Sequence, residues 1–262
     1  MNLQLENKTA LVTGSTAGIG LEIARSLALE GASVTITGRS AAKLEAAAAD
    51  IARSGKTVQT VLADVATSDG ANQLIAAVAS VDILVNNLGI YEAKPFTDIT
   101  DADWLQLFET NVMSGVRLSR AYFPQMIAKN WGRIIFISSE SAFSPPPEML
   151  HYGMTKTAQL ALTRGLAMAT KGTGVTVNAV LPGPTRTEAI PAFLKSISSN
   201  PDGTAAEHEA EFFAKHRPAS LLQRMIEPQE IAHLVAYLAS PLSAATNGDA
   251  VRAEGGLLTT IG

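Results

Sequence analysis

Short apolar runs that are rich in β-branched residues alternate along the chain with longer, alanine-rich segments of helical pattern. The apolar runs predict strands at 9–13, 33–37, 57–62, 82–85, 133–138, 175–180 and 249–252. The segments between them predict helices at about 19–30, 41–53, 72–79, 101–129, 149–171 and 231–239. Continuous apolar strands separated by helices are typical of parallel βαβ units, whose strands are buried on both faces. The pattern predicts an α/β fold, a doubly wound parallel sheet of about seven strands with helices on both faces.

Residues 1–262 are expected to form a single domain, because no linker, repeat or change of composition divides the chain. One stretch, at about 185–223, interrupts the alternation and carries aromatic and charged residues without a strand pattern. A long insertion of this kind is more often functional than structural. We therefore predict a substrate lid at 185–223, in which the spacing of Phe193 and Ile197 favours a short helix.

The composition excludes several classes of ligand. With a formal net charge of −4 at pH 7 and no run of Lys or Arg, the chain lacks the electrostatics that hold nucleic acids or anionic membranes. It has no cysteine and only four scattered histidines, so neither a disulfide framework nor a metal site is expected. No signal-peptide pattern and no apolar run of about 18–20 residues is present. These features favour a cytoplasmic protein that binds a small molecule at a local site.

A glycine-rich turn, Thr13-Gly14-Ser15-Thr16-Ala17-Gly18-Ile19-Gly20, joins the first predicted strand to the first helix. Glycines in such a turn permit a tight bend, close approach of a pyrophosphate, and close contact between helix and strand. The following helix offers free N–H groups and the positive end of its dipole to phosphate. Ordinary βα turns also use glycine, but the strand–turn–helix context favours a dinucleotide site. The turn residues predicted to bind the cofactor are Gly14, Ser15, Thr16, Gly18, Ile19 and Gly20.

The spacing Thr-Gly-x-x-x-Gly-x-Gly resembles the fingerprint of the short-chain dehydrogenase/reductase family, and further motifs of that family follow in order from about residue 8 to residue 256. The resemblance covers nearly all of the chain and extends to members similar to 3-oxoacyl-carrier-protein reductases. It implies a Rossmann-type fold, a nicotinamide cofactor, and hydride transfer between the nicotinamide and a secondary alcohol or carbonyl carbon. The protein is therefore predicted to be an enzyme.

The end of the second predicted strand indicates which nicotinamide cofactor is bound. NAD-binding sites of this type commonly place an acidic residue here for the ribose 2′-hydroxyl, whereas Arg accommodates a 2′-phosphate. Gly38 stands at what resembles the acidic position and is followed by Arg39 and Ser40. A guanidinium gains a charge-assisted contact with phosphate, which a carboxylate would repel. The preference for NADP(H) over NAD(H) depends mainly on Arg39, for which a solvated surface position is the alternative.

A second motif, Tyr152-Gly153-Met154-Thr155-Lys156, is predicted on a helix, where residues four apart share a face. Such pairs also occur on solvated helices, so the position of the motif decides its meaning. A free Tyr has a pKa of about 10, and positive charge nearby favours the phenolate that alcohol oxidation requires. The family resemblance implies a catalytic tetrad that consists of Asn111, Ser139, Tyr152 and Lys156.

The resemblance also implies a role for each member of the tetrad. Tyr152 is the acid/base, while Lys156 lowers the pKa of Tyr152 and holds the ribose hydroxyls of the nicotinamide. Ser139, thirteen residues before Tyr152, orients and polarises the reacting oxygen. Asn111 holds a water that links Lys156 to solvent, and a mid-helix Asn that bends its helix is a compatible alternative.

Further cofactor contacts follow from the same resemblance. Asp64 and Val65 correspond to the pair that meets the adenine ring, although Asp64 also fits a turn or helix cap. Asn87 and Gly89 correspond to the family's Asn-Asn-Ala-Gly motif, with Leu88 in place of alanine; turn chemistry alone is the alternative. Beyond the sixth strand, the segment that meets the nicotinamide carboxamide and diphosphate is represented by Pro182, Gly183, Thr185 and Thr187.

The substrate pocket is predicted to lie after Ser139 and before Tyr152, with the prolines at 145–147 stiffening the loop between them. The mixture of side chains favours a moderately apolar alcohol or ketone. The candidate wall residues are Glu140, Ser141, Ala142, Phe143, Met149, Leu150 and His151, with Ile190, Phe193, Leu194, Phe212 and Phe213 of the lid.

Other functions are compatible with parts of this pattern. A 3-oxoacyl thioester on an acyl carrier calls for a basic rim, but the basic residues near the lid are interspersed with acids. A non-catalytic NADP(H)-binding redox sensor would be expected to have a degraded tetrad, and an epimerase-like use of bound NAD disagrees with Arg39. The resemblance also implies a homo-oligomer, a dimer or tetramer, with contacts through the long helices at 101–129 and 149–171.

Overall fold

Seven parallel strands form one sheet at the centre of the computed structural model, which describes residues 1–261. Across the sheet they lie in the order β3-β2-β1-β4-β5-β6-β7, and every neighbouring pair is parallel. The predicted α/β fold with a doubly wound parallel sheet is confirmed. In chain order the strands are β1 (Thr9–Val12), β2 (Ser33–Gly38), β3 (Gln59–Leu62), β4 (Ile83–Asn86), β5 (Gly132–Ile137), β6 (Val175–Pro182) and β7 (Ala250–Ala253).

Nine α-helices occur within the described residues, and six of them pack directly on the two faces of the sheet. Helices α1, α2 and α9 cover one face, and α3, α5 and α6 cover the other. Strands β4, β5 and β6 are buried along their whole length, which explains their continuous apolar sequences. The helices are α1 (Gly18–Leu29), α2 (Ala41–Ala52), α3 (Ser68–Ala77), α4 (Asp101–Phe108), α5 (Ser114–Ala128), α6 (Leu150–Ala169), α7 (Ile190–Ile197), α8 (Ala205–His216) and α9 (Pro228–Ala239).

The order of the strands creates a crevice at one edge of the sheet. The chain proceeds from β1 outward to β3 in one direction, then from β4 outward to β7 in the other. In such a sheet a crevice opens between the two central strands, at their carboxyl ends, because the connections on either side diverge. The segments that follow β1, β4, β5 and β6 therefore meet at one edge of the sheet.

Helices α4 and α5 are separated by a π-helical turn, Glu109–Met113, where the sequence predicted one helix over 101–129. The turn releases the backbone carbonyl of Asn111, which accepts a hydrogen bond of 2.7 Å from Nε2 of Gln159 on α6. The bend expected at Asn111 is thus present as a turn of wider helix. The apolar periodicity of the sequence does not reveal such a turn, since the spacing on both sides of it remains helical.

Residues 185–223 contain the two short helices α7 and α8, which pack against each other. The helix expected from the spacing of Phe193 and Ile197 is present as α7. A capping box begins α8, because the Thr204 side chain accepts from the backbone of Glu207 and the Glu207 carboxylate accepts from Thr204. The pair has a small buried core of its own, made of Leu194, Phe212, Phe213 and Met225.

None of the helices among residues 1–261 is both long and apolar enough to cross a bilayer. Within the same residues, the structure contains no cluster of three or more acidic or histidine side chains that could bind a metal ion.

Candidate active site

A cleft runs along the carboxyl edge of the sheet, over the crevice between β1 and β4. One part of it, with a volume of about 450 Å³, lies over β2, β1 and β4, and a second part of about 210 Å³ lies over β4, β5 and β6. The predicted cofactor residues in the first part are Gly14, Thr16, Arg39, Ser40, Asp64, Val65, Asn87 and Gly89. Those in the second part are Ile19, Asn87, Gly89, Tyr152, Lys156, Pro182, Gly183, Thr185 and Thr187.

The Asn87 side chain holds the glycine-rich turn in place. Its Nδ2 donates to the backbone carbonyls of Thr13 at 2.9 Å and Gly14 at 3.0 Å. A Cβ at Gly20 would lie 2.4 Å from that Nδ2 and 2.5 Å from the Gly14 carbonyl oxygen. Helix α1 then begins at Gly18 without any side-chain cap on its first N–H groups. An anionic group is the natural partner for such an uncapped helix start, so the turn fits a dinucleotide pyrophosphate.

Ser15 differs from its neighbours in the turn, because it is fully buried beneath the cleft. Its hydroxyl donates to the Val12 carbonyl at 2.7 Å and accepts from the Thr37 amide at 3.1 Å. Through these two hydrogen bonds the Ser15 hydroxyl links the end of β1 to β2. Ser15 was predicted to bind the cofactor, but the structure gives its side chain the role of shaping the turn.

Two cations stand at the end of the cleft beside β2. Arg39 is exposed and lines the cleft, and so does Lys43 in the first turn of α2. Ser40 also lines the cleft, but its hydroxyl caps α2 by accepting from the Lys43 amide. A Cβ at Gly38 would lie 2.7 Å from Cγ2 of Thr16, so an acidic side chain there would displace its neighbour. The sequence analysis missed Lys43, although a second cation in the first turn of the predicted helix after Arg39 was a usable signal.

The position of Asp64 is compatible with both of the roles that the sequence left open. Its carboxylate accepts from the Ala66 amide at 3.2 Å and so fixes the turn after β3. The same residue lines the cleft together with Val65. Turn chemistry and a place beside a bound ring are thus compatible at this position.

Tyr152, Lys156 and Ser139 converge on the second part of the cleft. Tyr152 and Lys156 lie one turn apart on α6, and the Lys156 Nζ is 5.5 Å from the centre of the Tyr152 ring. That ammonium donates to the carbonyl of Ile137 at 2.8 Å. Ser138 anchors the arrangement by donating to the Lys156 carbonyl at 2.9 Å, a structural role that the sequence did not indicate.

The protonation equilibria of this group differ from the sequence expectation. Burial raises the pKa of Tyr152, and the Glu140 carboxylate raises it further, whereas a hydrogen bond with Ser139 acts in the opposite direction. Burial lowers the pKa of Lys156 to about 7, against the opposing effect of Glu140. The expectation that Lys156 depresses the pKa of Tyr152 is therefore not met by the protein alone. Desolvation is the largest cause of both pKa shifts, since both groups are withdrawn from water.

The Asn111 side chain is buried and fully engaged. It accepts from the Ile90 amide at 2.8 Å and donates to the Ile90 carbonyl at 2.9 Å and to Thr155 Oγ1 at 3.0 Å. Its backbone carbonyl is held by Gln159, whose Oε1 lies 3.4 Å from the Lys156 Nζ. A direct side-chain link thus joins Lys156 to the π turn, where the resemblance implied a water. Gln159, a buried amide on α6, was missed by the sequence analysis.

We expect Gln159→Met to lower the free energy of unfolding by about 1–3 kcal/mol, because the Asn111 carbonyl would lose its buried donor. The matched control is Gln125→Met, since Gln125 is exposed and donates only to the carbonyl of Ala79. That change should alter stability by less than about 0.5 kcal/mol. Urea unfolding of both variants measures the difference, and equal midpoints would show that the Gln159 link contributes nothing to stability.

A smaller pocket of about 180 Å³ adjoins the cleft at Ser139 and Tyr152 and is walled mainly by apolar side chains. Tyr91 forms one wall, its ring edge-to-face with Tyr152 at 6.2 Å between centres. Helices α7 and α8 supply the opposite wall. The predicted wall residues that line this pocket are Glu140, Ser141, Met149, Ile190, Phe193 and Phe212.

The remaining predicted wall residues do not line this pocket. His151 is a buried residue of α6 and lies edge-to-face with Trp104 at 5.8 Å. It misses the pocket that Tyr152 lines because neighbouring positions on a helix point in different directions. Leu194 and Phe213 belong to the core between α7 and α8. Also outside the pocket lining are Ala142, Phe143 and Leu150.

Ser139 donates its hydroxyl proton to the carboxylate of Glu140, although the resemblance implied that it donates to the reacting oxygen. The Glu140 side chain is buried beside Ser139, and Arg217, at the end of α8, lies 3.5 Å from it. The sequence analysis placed Glu140 in the pocket wall without assigning it a role of its own.

Comparison with known proteins agrees with this geometry. A family model described as short chain dehydrogenase matches residues 8–196. The chain therefore belongs to the short-chain dehydrogenase/reductase family of oxidoreductases. It is 49% identical to the uncharacterized oxidoreductase YvaG of Bacillus subtilis (strain 168), with 100% of both chains covered.

Two further relatives are more distant in sequence. The 3-oxoacyl-acyl-carrier-protein reductase FabG of Aquifex aeolicus (strain VF5) is 32% identical, over 98% of this chain and 100% of that protein. The structure of L-sorbose reductase from Gluconobacter frateurii, complexed with NADPH and L-sorbose, is similar with a TM-score of 0.92. That protein is 30% identical, and the similarity covers 100% of both chains.

Proposed function

We propose that this protein is an NADP(H)-dependent oxidoreductase that transfers a hydride between the nicotinamide and a secondary alcohol or ketone. The observation that carries the proposal is the meeting of Tyr152, Lys156 and Ser139 where the cleft and the apolar pocket join. A cofactor in the cleft and a substrate in the pocket would both reach this junction. Relatives named as oxidoreductases, one of them complexed with NADPH, support the proposal.

The residues present fit a dinucleotide with a 2′-phosphate. The uncapped start of α1 would hold the pyrophosphate, and Arg39 with Lys43 would hold the 2′-phosphate. The nicotinamide end would lie against Pro182, Gly183 and the threonines that follow them. When bound, the nicotinamide supplies or accepts the hydride.

Tyr152 is proposed as the group that exchanges a proton with the reacting oxygen. Because burial raises its pKa, the phenol is protonated at neutral pH, the state that carbonyl reduction requires. Lys156 would reach the ribose hydroxyls from its place beside the phenol. A positively charged nicotinamide ring beside the phenol favours the phenolate, the state that alcohol oxidation requires.

The region at 185–223 and the outer helix faces complete the proposal. Helices α7 and α8 wall the pocket through Ile190, Phe193 and Phe212, which supports their proposed role as a substrate lid. Self-association through the long helices stays a prediction. It is supported by an apolar groove of about 320 Å³ between α5 and α6, whose walls include Phe123 and Leu166.

Titration of the purified protein with NADPH and with NADH tests the proposal. We expect NADPH to bind more tightly, because Arg39 and Lys43 face the cleft without an acidic residue at position 38. Addition of a panel of secondary ketones should then consume NADPH, as followed by its absorbance. Failure of both nucleotides to bind would refute the assignment of the cleft, and tighter binding of NADH would refute the assignment of Arg39.

A further inference from the structure

Glu140 places a carboxylate in the wall of an otherwise largely apolar pocket, directly beside Ser139. The side chain is buried, with 6% of the residue exposed. Its Oε2 accepts from the Ser139 hydroxyl and from the Ser141 amide, the latter at 3.0 Å. Burial of a charged group is unfavourable unless hydrogen bonds or an opposite charge compensate it. A carboxylate at this position therefore calls for partners on both oxygens.

The second oxygen of Glu140 lacks a close partner within the described residues. The nearest cation is Arg217, whose Nη2 is 3.5 Å from Oε1, an ion-pair distance longer than a typical hydrogen bond. Another nitrogen of that guanidinium donates to the carbonyl of His216 at 2.8 Å. A carboxylate oxygen has about two acceptor sites, so Oε1 retains capacity for a donor. Glu140 also lines the pocket itself.

Ser139 adds a second acceptor to this wall. Its own proton is directed to Glu140, and its oxygen already accepts from the Ser141 amide at 3.1 Å. One lone pair of the hydroxyl is therefore left to receive a further hydrogen bond. The pocket thus presents two neighbouring acceptors, Ser139 Oγ and Glu140 Oε1, next to the proposed acid/base Tyr152. Glu140 Oε1 therefore matches a hydroxyl donor on the carbon atom next to the reacting one, and Ser139 Oγ matches the hydroxyl of the reacting carbon when the ligand is the alcohol.

We propose that Glu140 selects substrates that carry a hydroxyl group next to the reacting carbon, namely vicinal diols and the α-hydroxy ketones formed from them. The proposal rests on the proposed oxidoreductase function and names the substrate class of the same site. The hydroxyl that does not react donates to Glu140 Oε1, and the hydroxyl at the reacting carbon meets Ser139 and Tyr152. The remaining walls, among them Met149 and Phe193, accommodate an apolar body.

The reaction is balanced without a further reagent. In oxidation, the C–H bond at one carbinol carbon breaks, and its hydrogen leaves with both electrons to oxidised nicotinamide. The O–H bond at the same carbon breaks, its proton passes to the phenolate form of Tyr152, and the C=O bond of an α-hydroxy ketone forms. The adjacent hydroxyl, held by Glu140, is unchanged. Reduction of the α-hydroxy ketone by NADPH reverses each step.

Competing ligand classes fit this wall less well. A simple ketone would cover Glu140 and leave Oε1 without a donor, and such an unpaired buried group weakens binding. A substrate carboxylate in the same place would be repelled by Glu140. Selectivity therefore arises because a ligand without the adjacent hydroxyl leaves Glu140 Oε1 without a hydrogen-bond donor.

The test compares ketones from butanone to octan-2-one with their 3-hydroxy counterparts, using the full-length protein and NADPH. We expect kcat/KM of the parent to favour the hydroxy ketones by at least about ten-fold. The isosteric Glu140→Gln should reduce this preference to a few-fold, mainly through the hydroxy ketones. A second variant, Glu140→Ala, should abolish it, and thermal melting verifies that both variants fold.

The matched control is Glu45→Gln, because the exposed Glu45 on α2 lines neither the pocket nor the cleft and should leave the preference intact. Equal rates of the parent on hydroxy and plain ketones would overturn the proposal while leaving the oxidoreductase function in place. A parallel loss on both classes in Glu140→Gln would identify a structural role and would also overturn it. If the parent reduces no ketone although NADPH binds, the proposed function falls together with this inference.

Discussion

Replacement of Tyr152 by Phe is expected to lower kcat by about 10²–10⁴-fold, the usual contribution of a positioned acid/base. The phenol hydroxyl is the only group removed, so the ring can keep its edge-to-face contact with Tyr91. Affinity for NADPH should change little, because the pyrophosphate and 2′-phosphate would be held at the other end of the cleft. Steady-state kinetics and a fluorescence titration of the same preparation separate these two effects.

The pH dependence of the parent enzyme gives an independent check on Tyr152. Its pKa is raised by burial and by the Glu140 carboxylate, so alcohol oxidation should accelerate as pH rises into the alkaline range. Ketone reduction, which uses the protonated phenol, should lose rate over the same range. Loss of both dependences in Tyr152→Phe would agree with its role as acid/base.

The matched control is Tyr122→Phe, on α5. Tyr122 is also buried, its pKa is raised to about 12 by burial, and its hydroxyl donates to the Val78 carbonyl. This change should lower stability by about 1 kcal/mol and leave kcat close to that of the parent. If Tyr152→Phe kept more than a tenth of the activity, another group would have to move the proton.

The second large effect is expected from Arg39→Asp, which should weaken NADPH binding by about ten- to a hundred-fold. The guanidinium would be lost from the 2′-phosphate, and a carboxylate would repel that dianion. NADH has a hydroxyl in place of the phosphate, so its affinity should stay constant or improve. The change in relative affinity for the two cofactors, measured by titration, is the decisive quantity.

Arg53→Asp provides the same change of charge at the far end of α2. Arg53 is exposed and paired with Asp50, and it does not line the cleft. NADPH affinity in this variant should remain within about two-fold of the parent, because distant exposed charges are screened by salt. A similar loss in both variants would mean that Arg39 acts only through the overall charge and does not contact the phosphate.

The sequence alone determined the order of strands and helices and the features that depend on neighbours along the chain. Predominantly apolar runs predicted the buried strands β4, β5 and β6, since a parallel strand in the middle of a sheet is covered on both faces. The glycines after β1 stand in a turn whose residues contact each other, as Gly20 contacts Gly14, although the distant Asn87 approaches Gly20 equally closely. Tyr152 and Lys156 share a helix face because of the helical repeat. Patterns of this kind are legible because their causes are local.

Only the tertiary structure decided the hydrogen-bond partners, the ion pairs and the pKa values of the site residues. The link from Gln159 to the Asn111 carbonyl spans 48 positions in sequence, and the pairing of Glu140 with Arg217 joins the end of α8 to the segment after β5. The pKa values of Tyr152 and Lys156 are governed first by burial. The burial of a group depends on every segment that packs around it and excludes water. These segments are distant in sequence, so no short stretch of sequence predicts the burial.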